Sequence, residues 1–375
     1  MINFGNYEVH KMVIYHPEII NYVILSILTL VCLFSLRKGK VEFLDKTHTD
    51  QLRGLAIILV VIGHLWVHVS QNPPKIVLSG FGVALFLILS GFGLSKSAMT
   101  SRPTFKQFLV KRINRIYVPY WLITIVILIL DYVMLNRIYS GKDIFLTFWG
   151  VNISAAVKRI DYVRWYVTFL LFWYGIFFFS TKFNNRLNKV LFFFLTAFVI
   201  FLLDYRITRL GWYQIFSFPF GVLLAYYYEE IGKYLEVIRR LGCYNLLLLI
   251  GLFVVVVYEL HFGSIIERVF PSIIYKLVGE GISLFFCFSI ILLVGYVGYK
   301  NLVSKIFCFV GTIAYELFLL HGPFLIKYNP ILSSSNLVVS FYFWLTIVLI
   351  LSYFLHKEVS IMYKLFGLNK YQFFR

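Results

Sequence analysis

The chain has 375 residues, 60% hydrophobic and only 14% charged, which leaves too little polar surface for a water-soluble domain of this length. Its 40 Phe and 27 Tyr exclude an intrinsically disordered chain. The formal charge of +18 is spread over short Lys/Arg clusters between apolar runs, a pattern of membrane topology and not of a nucleic-acid-binding patch.

A bilayer core about 30 Å thick needs roughly 17 to 25 mostly apolar residues per helix. Runs of about that length predict an all-α polytopic membrane protein with about 10–11 transmembrane helices. In chain order they span 19–36, 54–70, 76–94, 116–136, 163–180, 190–203, 212–228, 243–259, 277–297, 306–327 and 336–355. The runs 190–203 and 212–228 are short, as expected of a tilted or re-entrant segment. The first run lacks a basic stretch before it and a small-x-small site after it, so it reads as a retained helix and not as a cleaved signal peptide. Residues 1–49 thus form an extra N-terminal helix with a basic linker, 50–356 the main membrane domain, and 357–375 a short basic tail. Placing the N-terminus outside puts most of the 35 basic residues, and the C-terminus, on the cytoplasmic side. Cys32, Cys243, Cys287 and Cys308 lie in or beside apolar runs without ligand spacing and read as core residues.

The second run carries the first candidate site. From Asp50 through Arg53 to His64 the segment passes from the interface into lipid. Eleven helical residues make three turns plus roughly 20°, so Arg53 and His64 share one face about 16 Å apart along the axis. Asp50 and His68 lie close to the same line. Ionisable groups at this depth are costly, and a stripe of them points to a protein-lined or watered path. Histidine also supplies a base near neutral pH. The bland reading of a lone histidine here is a hydrogen bond to a neighbouring helix. His68 follows His64 at i+4 without a third ligand in view, so no metal is assigned.

Further along, Arg112 and Arg115 sit three residues apart on one face at the entry of the next helix, as Arg53 does on its own. Guanidinium groups match phosphate oxygens by bidentate hydrogen bonds, although anchoring on anionic lipid heads explains the same positions. Glu316 is expected near mid-depth, where an unpaired carboxylate would be costly; it is expected to pair with His64 or another buried polar group. His321 is expected nearer the outer face, in helix packing or acceptor binding. Ser90, in a Ser-Gly pair, suits close helix approach as well as chemistry.

Several segments, taken together, resemble the integral membrane acyltransferase family 3, bacterial membrane O-acyltransferases of sugars and envelope glycans. The run from Asp50 to His64 resembles that family's basic residue, ten positions, then histidine. Phe86–Phe92 resembles its F-x-x-L-S-G-F stretch, and Phe108–Trp121 its F-x-x-x-R-x-x-R-I-x-P-Y-W stretch. Trp165-Tyr166 is similar to its W-[FY]-L opening, and Tyr315–His321 to its Y-S-x-Y-L-x-H segment. Leu170 stands where some members carry a glutamate, and Glu316 where serine is common.

The resemblance implies a cytoplasmic acyl-CoA donor, most simply acetyl-CoA, as co-substrate, with no tightly bound cofactor. The acceptor would be a hydroxyl of a glycan or lipid-linked glycan, at the bacterial cytoplasmic membrane. His64, Arg53 and Glu316 are then the catalytic candidates. Arg112, Arg115 and Arg53 would hold the donor, and Asp50, Ser90, Tyr117, Trp165 and His321 would line the substrate path. The rival reading is a transporter or flippase for a lipid-linked glycan, whose polar stripe lines a path and performs no chemistry.

Overall fold

The computed structural model describes residues 14–34, 43–74, 78–101, 104–154, 160–204, 214–240, 272–295, 301–328 and 337–365. The expected span 243–259, with Cys243, lies outside them. The described α-helices are α1 (Pro17–Phe34), α2 (Lys46–Val69), α3 (Leu78–Ser101), α4 (Phe105–Arg112), α5 (Val118–Leu135), α6 (Gly141–Phe148), α7 (Trp165–Ser180), α8 (Arg186–Leu203), α9 (Ser217–Tyr226), α10 (Tyr228–Arg240), α11 (Ser272–Val294), α12 (Leu302–Thr312), α13 (Ala314–Ile326) and α14 (Leu337–Leu365). Among the described residues there is no strand. Among the described residues seven helical segments are long and apolar enough to cross a membrane, and α12 with α13 forms a broken eighth. The protein is an all-α, multi-pass membrane protein.

The outer helices show why lipid is their solvent. Ile125, Val126, Ile129 and Val133 on α5, and Leu191, Leu195 and Phe198 on α8, are exposed apolar side chains that water would disfavour and acyl chains accept. Helix α2 is the opposite case, with Leu52, Ala56, Ile57 and Val60 fully enclosed. Its start is fixed by Asp45, which accepts from the His48 N–H at 2.7 Å. The His48 ring accepts from Leu44 N–H and donates to Ile291 O, both at 2.9 Å, pinning α2 to α11.

Glycines bring backbones close around α2. A Cβ at Gly54 would fall 1.9 Å from Phe307 O, and one at Gly311 would fall 2.1 Å from Asp50 O, so only glycine lets α12 lie against the start of α2.

Two local departures from regular helix set the site. The run 306–327, expected as one span, is broken at Ile313, where α12 and α13 meet at 72°. Hydropathy reads length and apolarity but not direction, so the bend leaves no mark in it. Gly311 seats α12 on the base of α2, and α13 then runs alongside α2. The second departure is a π-turn at Ile113–Tyr117, inserted between α4 and α5. Arg112 and Arg115 therefore do not keep the α-helical relation expected from their spacing.

Candidate functional site

The stripe on α2 meets α13 at a pair of histidines. His64 Nδ1 lies 2.8 Å from His321 Nε2, with the rings only 9° from parallel and their centroids 5.1 Å apart. His321 is fully buried, whereas His64 keeps part of its surface open. The other His321 nitrogen, Nδ1, lies 2.7 Å from Phe318 O and 3.2 Å from Leu317 O. The His68 ring stands one helical turn further on, 6.1 Å from His64, with Tyr162 at its far side. His321 was expected nearer the outer face; the break at Ile313 shortens the climb of α13 and brings His321 level with His64.

Eleven residues back along α2 lies an arginine cluster. Arg53 Nη1 donates to Asp50 Oδ1 at 2.6 Å, both side chains half-buried. Arg115 is exposed, within electrostatic range of both Arg53 and Arg112. Arg112 stacks its guanidinium over Phe108 and Tyr174, at 5.6 and 5.3 Å from the ring centroids. Its Nε is buried and meets no acceptor among the described residues. Among the described residues Asp50, bonded to Arg53, is the one carboxylate joined to this group, so the cluster holds excess positive charge and donor capacity toward an anion.

At the far end of α13 each cation is bonded to a carboxylate. Lys327 donates to Asp131 Oδ2 at 2.5 Å and to Ile160 O at 2.7 Å. The same carboxylate accepts from Tyr139 at 2.6 Å and from Tyr328 at 2.5 Å. Fully buried Arg164 donates through Nε to Asp161 at 2.8 Å, bonds Thr124 Oγ1 through Nη1, and lies over Tyr120 at 4.6 Å. Asp161 is raised by burial, with Arg164 acting against it. This network clamps the segment before α7 onto α13, where an added Cβ at Gly322 would meet Val163 and Asp161.

The other expected site residues disperse. Glu316 faces His356, at 2.9 Å from its Nδ1, and not His64. One helical turn and a half separates Glu316 from His321 along α13, which turns its carboxylate toward α14 and the arginine end. Ser90 lies near Tyr166, whose ring packs on Phe318 with centroids 5.1 Å apart, next to His321. Tyr117 donates to Trp149 O at 3.0 Å and so ties the loop after α6 to the π-turn. Trp165 packs edge-on to Tyr166. Sequence reading missed His356, Tyr174 and the Asp131–Lys327 and Asp161–Arg164 pairs. Asp131, alone within an apolar run, was the signal available for one of them.

The family described as an acyltransferase domain, acyltransferase family 3, matches residues 49–356. The chain belongs to that family. No curated protein and no solved structure matches the chain significantly. As a member of acyltransferase family 3, the protein is a membrane acyltransferase, and the matched segment contains both the histidine pair and the arginine cluster.

Proposed function

We propose that the protein moves an acyl group, most simply acetyl, from acyl-CoA to a hydroxyl of an envelope glycan or its lipid-linked precursor. The observation that carries this reading is the half-open His64, hydrogen-bonded to buried His321, some eleven residues along α2 from three clustered arginines. The arginine end faces the cytoplasm of a bacterial cell, in keeping with the Lys/Arg bias. Arg53, Arg112 and Arg115 hold the phosphates of the coenzyme, with Arg112 Nε among the donors awaiting an acceptor. The thioester arm then extends about 16 Å along α2 toward His64.

At His64 the acceptor hydroxyl loses its proton to the ring as its oxygen attacks the thioester carbonyl carbon. The carbon–sulfur bond breaks, and the proton passes from His64 to the leaving thiolate. Products are the O-acyl ester and the free thiol, with no residual change in the enzyme. Glu316 stands outside this chemistry, because its carboxylate is engaged with His356.

The test is thioester turnover with acetyl-CoA by the purified protein in detergent. His64→Ala is expected to lower turnover by about 10²- to 10⁴-fold. Turnover unchanged by that substitution would remove His64 as the base, and absence of donor binding by the intact protein would favour a transport role.

A further inference from the structure

We infer that His321 is the positioning residue that fixes the tautomer of His64 and so selects Nε2 as the atom that performs the chemistry. This rests on the reading of His64 as the base. A carbonyl oxygen only accepts, so His321 Nδ1, at 2.7 Å from Phe318 O, must carry a hydrogen. Among the described residues no carboxylate is bonded to either ring, so nothing there holds either one as an imidazolium. His68 is the neighbour on α2. Asp161 and Arg164, from the segment before α7, are bonded to each other, and Glu316 on α13 is bonded to His356. A neutral His321 with its hydrogen on Nδ1 has its lone pair on Nε2. The 2.8 Å contact is then a bond from His64 Nδ1–H to His321 Nε2. His64 Nε2 is left with the lone pair.

The order of bonds is therefore Phe318 carbonyl, His321, His64, and then the reacting hydroxyl. The helix backbone sets one end of this chain. A histidine free in water populates mostly the opposite tautomer, which would present an N–H to the hydroxyl and could not take its proton. When His64 Nε2 takes the proton, the positive charge is shared along the bond to His321, and it leaves again when the thiolate is protonated. The near-parallel rings and the complete burial of His321 hold this geometry before substrate arrives.

The experiment reads the tautomer directly. The full chain, labelled with ¹⁵N-histidine and reconstituted in lipid bilayers, is examined by solid-state NMR, with the His64 signals assigned by their loss in His64→Ala. Wild type is expected to show His64 protonated at Nδ1 and bare at Nε2. His321→Gln offers an oxygen acceptor at the reach of the original Nε2 and is expected to preserve that form. His321→Asn reaches the Phe318 carbonyl but not His64, and is expected to turn most of the population to Nε2–H. In turnover, His321→Asn should lower kcat by about 10- to 100-fold at unchanged donor KM, and His321→Gln should restore most of it. In a His64→Ala background, His321→Asn should cost nothing further. A wild-type His64 protonated at Nε2, or losses that multiply in the double variant, overturns the assignment. The expected tautomer in a protein that turns over no thioester keeps the His321 lock and removes the transferase reading instead.

Discussion

Lys327 and Arg164, at one end of α13, are each held against a buried carboxylate, and neighbouring tyrosine, threonine and carbonyl oxygens take further hydrogen bonds from them. Arg53 and Arg112, at the other end, each lie within range of Arg115, and among the described residues the one carboxylate bonded to the group is Asp50, on Arg53. Both groups gather positive charge, yet in one, the closed end, each cation has its own carboxylate and in the other, the open end, the cations outnumber the carboxylate bonded to them. A buried cation with a matched partner holds helices in place. Like charges crowded together raise the energy of the empty protein, and an anion relieves it. The first arrangement suits architecture, and for the second we propose a ligand.

The largest expected effect lies at the closed end. Asp131→Leu leaves the Lys327 ammonium buried without its carboxylate and should destabilise the protein by about 3–5 kcal/mol, read as unfolding in detergent. Adding Lys327→Met should recover much of that loss, because the pair is replaced as a whole. If the single variant unfolds like wild type, the closed end is not architectural and the contrast collapses.

The open end should respond in the other measurement. Arg112→Ala with Arg115→Ala is expected to weaken coenzyme A binding by about 10- to 100-fold, or roughly 1.4 to 2.8 kcal/mol, with little change in unfolding. Unaltered affinity would reduce these arginines to anchors on lipid headgroups. The smallest effect is expected at Glu316→Gln, where an amide oxygen still meets His356. Stability should change by under about 1 kcal/mol and turnover should stay near wild type. A collapse of turnover with normal expression would return Glu316 to the mechanism.

Length, hydropathy and the position of single charges determined much of this protein by themselves. Lipid as solvent forces backbone hydrogen bonds into helices, so apolar runs of the right length name their own secondary structure. Periodicity on α2 likewise places Arg53 and His64 on one stripe, because both belong to one rigid element. What lies between elements was not legible. The hydropathy of 306–327 is the same whether the run is straight or bent, but the 72° turn at Ile313 decides that His321 meets His64 and Glu316 meets His356. The π-turn at Ile113–Tyr117 similarly decides the relation of Arg115 to Arg112. Residue types report the cost of burying a group, and only the packing of one helix against another determines which partner meets that cost.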